Sequence, residues 1–368
     1  MKLECQKEKL KEVIALAERM TGKNLSLPVL ARVLLIAEER HLIIRATNLD
    51  LGLEWQLPAK VEKTGQVLVN GAVLANFLAN IGVVEDKIKL ELAGENLSLT
   101  STRHKTVLKV YPAEDFPTLP EIAGTGKLAL PASDLLAGLR SVAYAAALND
   151  IKPEIASVYL HTQPGCLLLV ATDSFRLAES KISLSHSLEN KLRLIIPIRN
   201  ITEIMRVLER LPAQVELIYD QHQLSLKAEQ VTLTSRLIDG IFPDYQQLIP
   251  TKSATQVTLD KTELLSTLRV ANIFTDRLNH VTLKVRPEEQ LVEMESRSGE
   301  VGEDTSLLPA TISGEELIIS FNSRYLIEGL QSVMSDKVFL QFNGKTKAIV
   351  VTGAGEQAFT YLIMPLNR

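Results

Sequence analysis

The stretch ATDSFRLAES (171–180) follows the apolar run CLLLV (166–170) and sets an acid, Asp173, three residues before a base, Arg176, where a buried strand should emerge. Such a pair suits either proton transfer or the holding of a turn. Catalysis would need more than this pair. Ser174 has no histidine close in sequence to activate it, and the chain carries no GxSxG nucleophile elbow.

Other chemistry-bearing patterns fail on spacing. GTGKL (124–128) and NGKT (343–346) end like a phosphate-binding loop, but that loop needs a glycine five residues before its Gly-Lys pair. Glu121 and Phe339 occupy those positions. NGKT reads instead as a tight hairpin turn, with Asn-Gly supplying positive φ. His41, His104, His161, His186, His222 and His280 show neither helical metal spacing nor a CxxC partner, and solvated or strand-surface places are expected for them. Glu38-Glu39, Glu288-Glu289 and Glu303-Asp304 lie in polar, turn-like surroundings rather than on the converging strands a two-metal site requires. No catalytic residue, metal site or cofactor is expected.

The chain has 368 residues, enough for two to four domains. With 46% hydrophobic and 23% charged residues it has the composition of an ordinary globular protein. Cys5 and Cys166 are its two cysteines, which argues against a disulfide framework and for a reducing compartment. The opening MKLECQKEKLKEV has charges where a signal peptide would be apolar, and no run is long enough to span a bilayer. A cytoplasmic location without membrane attachment is expected. A net charge of −4 excludes a protein coated in basic residues, but not a basic surface confined to one face.

The elements that must position these residues recur. LECQKEKLKEVIALAERM (3–20), KLALPASDLLAGLRSVAYA (127–145) and VTLDKTELLSTLRVANIF (257–274) each read as a short strand followed by an amphipathic helix. The first aligns Leu10, Val13, Ile14 and Ala17 in one apolar stripe, the second repeats it through Leu135, Leu139 and Val142, and the third opens on a capping box of Asp260 with Glu263. Further along each repeat comes a second strand and helix: VLVNGAVLANFLANI (67–81), LIIPIRNITEIMRVLER (194–210) and LIISFNSRYLIEGLQSV (317–333). Alternating segments such as KIKLELAGENLSLTST (87–102) and VELIYDQHQLSLKAEQVTLTS (215–235) read as hairpins. Proline-rich joins follow, and each contains a Phe-Pro pair, Phe116-Pro117 and Phe242-Pro243. The expectation is three tandem α+β domains of about 123 residues, over 1–123, 124–250 and 251–368. Each would have two helices packed on largely antiparallel sheet.

This triplication, together with ATDSFRLA (171–178), DGIFPDYQQLIP (239–250), YLIMPLNR (361–368) and SLPVLARVLL (26–35), resembles the bacterial DNA polymerase III β subunits, the sliding clamps. The resemblance covers essentially the whole chain. It implies three copies of a DNA-clamp domain that dimerise into a closed six-domain ring around double-stranded DNA, without reading its sequence. It also implies no catalysis, and as partners the DNA polymerase III alpha subunit, the clamp loader complex, and other polymerases and repair proteins carrying clamp-binding motifs. Two helices in each of six domains, at about 9 Å per packed helix, give an inner circumference of roughly 108 Å and a diameter of about 34 Å, which admits a duplex. Topological enclosure needs little affinity, in keeping with the acidic net charge.

The resemblance also implies sites. A peptide-binding pocket would draw Ile155, Thr172, Ser174, Phe175, Arg176 and Leu177 from the region around ATDSFRLA, Pro243, Gln247 and Leu248 from the second join, and Leu362, Ile363, Met364, Pro365 and Leu366 from the tail. The family often has Gly-His at 174–175 and a basic residue at 247. Asp173 then becomes a turn residue rather than an acid. DNA contacts would come from Lys23, Asn24, Asn149, Lys152 and Arg199, with Pro153 and Glu154 standing where the family has tyrosines. Further basic residues, Arg19, Arg140, Arg206, Arg210, Lys261, Arg269, Arg277 and Arg324, are candidates for the ring lining, with Glu203, Glu209 and Glu328 as competing partners. A homodimer interface would set Arg103, Lys105 and Thr106 opposite Ile273, Phe274, Glu300 and Asp304. Two other readings compete: a nucleotide-transferring or hydrolysing enzyme built on Asp173, revealed by metal-dependent activity, and a monomeric scaffold, revealed by its mass.

Overall fold

The structure, a computed structural model, describes the chain except residues 23–26, 83–85, 120, 121, 123, 125, 150, 185–190, 212, 213, 251, 367 and 368. The first repeat runs β1 (Lys2–Gln6), α1 (Lys7–Arg19), β2 (Arg32–Glu38), β3 (His41–Thr47), β4 (Leu51–Lys63), β5 (Gly65–Asn70), α2 (Gly71–Asn80), β6 (Lys87–Ala93), β7 (Asn96–Thr100) and β8 (Lys105–Tyr111). The second runs β9 (Gly126–Pro131), α3 (Ala132–Val142), β10 (Ser157–Gln163), β11 (Cys166–Thr172), β12 (Arg176–Ser183), β13 (Arg193–Pro197), α4 (Ile198–Leu208), β14 (Gln214–Tyr219), β15 (Gln223–Ala228) and β16 (Val231–Arg236). The third runs β17 (Thr255–Asp260), α5 (Lys261–Ala271), β18 (His280–Arg286), β19 (Leu291–Ser298), β20 (Gly302–Pro309), β21 (Thr311–Ser313), β22 (Leu317–Asn322), α6 (Ser323–Ser332), β23 (Lys337–Phe342), β24 (Ile349–Gly353) and β25 (Phe359–Ile363). Apart from the short β21, the order of elements is the same three times.

Local chemistry accounts for the helices. Leu10, Val13, Ile14 and Ala17 are all buried, so the stripe on α1 is its core face, and α1 packs on α2. Asp260 caps α5 by accepting the Glu263 N–H at 2.9 Å. Asn70 caps α2 through the Val73 N–H at 3.1 Å, and Asn322 caps α6 through the Arg324 N–H at 2.9 Å. No helix among the described residues is long and apolar enough to cross a membrane.

Compactness does not follow the repeats. One unit holds Met1–Ser133 with Thr202–Asp239, and the other holds Asp134–Ile201 with Gly240–Arg368, so the middle repeat is divided. Strand edges explain the division. In the first unit β4 pairs antiparallel with β16, Leu53 opposite Leu233, joining β16-β15-β14-β9 to the eight strands of the first repeat in a 12-stranded sheet. In the second unit β12 pairs with β25, Leu177 opposite Leu362, within a 9-stranded sheet. Each pairing satisfies an edge of N–H and C=O groups that a repeat alone would leave open. A separate 4-stranded sheet, β20-β19-β18-β22, completes the second unit.

Candidate peptide-binding site

The CLLLV run is the buried strand β11, and the turn that ends it belongs to Asp173. The Asp173 carboxylate accepts the N–H groups of Phe175 at 2.9 Å and Arg176 at 3.0 Å through one oxygen, and the Arg176 Nε at 3.0 Å through the other. Thr172 Oγ1 accepts the Ser174 N–H at 3.1 Å and donates to the Arg176 carbonyl at 2.6 Å. With every Asp173 oxygen engaged locally, the residue is a turn former, and the turn pushes Phe175 out to 61% exposure. Ser174 takes φ 77°, the left-handed region that favours glycine.

Arg176 ties this turn to the third repeat. Its buried guanidinium pairs with Asp173 and Glu328, donates to the Tyr144 carbonyl at 2.6 Å, and lies 4.3 Å from the centroid of the Tyr325 ring. A planar fork with several donors meets two carboxylates, a carbonyl and an aromatic face at once, which lysine could not do.

The Phe242-Pro243 join is pinned against the second repeat's sheet. Phe242 stacks on Tyr159 with centroids 4.8 Å apart. Tyr245 donates its hydroxyl proton to Glu179 at 2.6 Å and sits 2.9 Å from His161 Nε2. Because the tyrosine has one proton and Glu179 takes it, His161 must donate from Nε2, which fixes its tautomer. Burial, followed by the charge of Arg193, lowers the His161 pKa to about 4. Burial, reinforced by Glu179, raises that of Tyr245. His161 thus departs from the surface place expected of the histidines: on β10 its neutral ring is a buried hydrogen-bond donor. The pinned join ends in the short helical turn Gln246–Leu248, where Gln247 donates to Asp244 at 2.5 Å and Leu248 stays 59% exposed.

The tail supplies the remaining side. Beyond β25, the Met364 N–H donates to the Phe175 carbonyl and the Leu366 N–H to the Ser320 carbonyl, both at 2.8 Å. Between turn, join and tail lies a cavity of about 600 Å³, within the usual range for ligand pockets. Of the residues expected there, Thr172, Ser174, Phe175, Arg176 and Leu177 line it, as do Gln247, Leu248, Leu362 and Met364. Ile155 packs instead with Ala147 and Ala156. Ile363 and Pro365 are buried, Pro243 is exposed and Leu366 half-buried, and none of the four lines the cavity. The expectation omitted Pro250 and Lys252 and one whole wall, formed by Asn343, Thr346, Lys347 and Ala348. That wall is the NGKT loop between β23 and β24. It is wider than a two-residue hairpin turn, and of its Asn-Gly pair only Gly344 has positive φ.

The other expected sites are distributed as follows. Lys23 and Asn24 lie outside the described residues. Asn149 and Lys152 are exposed in the loop before β10, and Arg199 is exposed in the first turn of α4. Among the basic lining candidates, Arg206 pairs with Glu203, Arg210 lies 3.7 Å from Glu12, and Lys261 donates to the Val333 carbonyl at 2.9 Å. Lys105 and Thr106 begin β8 and Arg103 lies in the bend just before it; among the described residues β8 meets β5 only near its far end, at Val110 and Tyr111. Asp304 lies on β20, the edge of the 4-stranded sheet, and Ile273 is 62% exposed.

A threefold α+β repeat of this order, with a groove of mixed apolar and polar lining where strand ends, join and tail meet, is the architecture of the tandem clamp-domain class. Comparison with known proteins agrees. Models of the DNA polymerase III beta subunit match along the chain, the N-terminal domain at residues 1–120, the central domain at 129–244 and the C-terminal domain at 246–367. The chain is 31% identical to the beta sliding clamp of Synechococcus elongatus over 375 residues, covering 100% of this chain and 99% of that one. It is 25% identical to that of Bacillus subtilis over 380 residues, covering 100% of both. The crystal structure of the Bacillus subtilis DNA polymerase sliding clamp superposes with a TM-score of 0.94 at 24% identity, over 100% of this chain and 99% of that one, and shares the fold. This chain belongs to the DNA polymerase III beta subunit family.

Proposed function

We propose that the protein is a DNA sliding clamp, a non-catalytic processivity factor. Two copies close into a six-domain ring around double-stranded DNA, and the ring tethers the DNA polymerase III alpha subunit and other replication and repair proteins. The observation that carries this reading is the same element order in three successive repeats, apart from the short β21, matched by the family along the chain. The domains are taken as 1–123, 124–250 and 251–368, and the cytoplasm as their location.

Three features support the assigned sites. The cavity beside ATDSFRLA has the size and the mixed apolar and polar lining suited to a short peptide with an aromatic or leucine anchor. The open part of β8 carries Lys105 and Thr106, and the open edge of β20 carries Asp304; strands with opposite charges at unpaired edges suit a head-to-tail contact that closes after two copies. Asn149, Lys152 and Arg199 offer exposed polar and basic groups suited to phosphate contacts that ignore sequence.

The test is retention on DNA. After loading by a compatible ATP-driven loader, the protein should run as a dimer, stay on circular duplexes and slide off linear ones. A monomer, or equal loss from both forms, would overturn the reading.

A further inference from the structure

We infer that Tyr245 is a positioning residue for the peptide pocket: its hydroxyl, held by Glu179 and His161, fixes the join in the one placement at which Gln247 and Leu248 form a ready-made wall. This rests on the pocket being the peptide site. Tyr245 is not among the lining residues, so whatever it does for binding it does through the join. Between Ile241 and Leu248 two side chains are buried, Phe242 and Tyr245, and the other six are exposed. Among the described residues the backbone of this segment bonds only within itself, from the Leu248 N–H to the Tyr245 carbonyl at 2.9 Å and from the Ile249 N–H to the Gln246 carbonyl at 3.2 Å. No strand ladder sets its register.

The two anchors differ in kind. Phe242 stacks on Tyr159, an apolar contact without direction that tolerates sliding. The Tyr245 hydroxyl instead lies 2.6 Å from Glu179 on β12 and 2.9 Å from His161 Nε2 on β10, and both partners are buried. Glu179 is 5% exposed, and Lys181 on the same strand lies 3.6 Å from its other oxygen. A carboxylate and an imidazole are costly to bury on a sheet face where leucine would pack. What they supply that leucine could not is direction, an acceptor and a donor that one hydroxyl satisfies together at one position. Leu248 is tied to the Tyr245 carbonyl, so fixing Tyr245 fixes the wall. A wall held ready reduces the ordering that an incoming peptide must impose. Loosening the join should then shrink the share of molecules competent to bind, which slows association and leaves dissociation alone. Loss of a direct contact acts chiefly on dissociation.

Stopped-flow anisotropy with a fluorescein-labelled synthetic peptide carrying a Leu-Phe anchor, mixed with the full-length protein, separates the two rates. Tyr245→Phe keeps the ring and should lower the association rate about three- to tenfold at an unchanged dissociation rate. Glu179→Leu removes the acceptor and should do the same, so the result does not hang on the folding of one variant. Glu179→Gln, whose side-chain carbonyl still accepts from the tyrosine, should recover most of the association rate, which a need for charge at this position would not allow. Leu248→Ala, which removes part of the wall itself, should speed dissociation. Wild-type rates in both Tyr245→Phe and Glu179→Leu, or faster dissociation in them at an unchanged association rate, would overturn the inference and leave the peptide pocket standing. A peptide that fails to bind the wild type, or that binds Leu248→Ala equally well, would overturn the pocket itself.

Discussion

Ser174 holds a left-handed backbone at φ 77° so that Asp173 can gather the amides of Phe175 and Arg176. A residue with a Cβ pays roughly 1–2 kcal/mol for that conformation, while glycine loosens the unfolded chain by about 0.4–1 kcal/mol. Ser174→Gly should therefore stabilise the protein by about 0.5 kcal/mol, and Ser174→Val should destabilise it by more than about 1 kcal/mol, both measurable as shifts of the urea midpoint at unchanged slope. His161 has a pH consequence of definite sign. Above about pH 6.5 its ring is neutral in both the folded and unfolded chain. As the pH falls from there towards the folded value of about 4, the unfolded chain takes up a proton that the folded one refuses. Stability is then lost by at most about 1.4 kcal/mol per pH unit, and the loss stops once the folded ring protonates as well. His161→Gln, which can still donate to Tyr245, should lose less stability across that window in melts taken at stepped pH.

At the scale of elements, Arg176 links the start of β12 to α6 through Glu328 and Tyr325, and so fixes the floor of the pocket to a helix of another repeat. Replacing it with methionine leaves Glu328, the Tyr144 carbonyl and one carboxylate oxygen of Asp173 without their guanidinium donor, while the backbone N–H groups still reach the other oxygen of Asp173. Because Glu328 is 43% exposed, the loss should be about 2–4 kcal/mol, near the lower end for a broken buried pair. Arg176→Lys keeps the charge without the fork and should recover only part of it, both in thermal stability and in peptide affinity. If the two variants were equally impaired in both, the guanidinium's geometry would not be what matters. The pairing of β12 with β25 sets the neighbouring wall, since Met364 reaches Phe175 only because Arg176 lies opposite Ile363.

At the scale of the whole molecule, the proposed ring closes through the edges of β8 and β20. Lys105→Glu alone and Asp304→Lys alone should each weaken dimerisation about tenfold, and the two together should restore most of it, as sedimentation at a series of concentrations would reveal. Much of this organisation was legible in the sequence. The repeats, the stripe on α1, the cap at Asp260, the buried strand CLLLV and the turn role of Asp173 all follow from spacing and side-chain chemistry within a few residues. Tertiary structure alone decided that two compact units divide the middle repeat between them, that His161 is a buried donor, and that the NGKT loop is a wall of the pocket. The physical reason is the same in each case. Helix faces, caps and turns are made by near neighbours whose identities show, whereas strand edges join through backbone groups that every residue carries, so the sequence does not mark which distant edge, and which loop riding on it, will arrive.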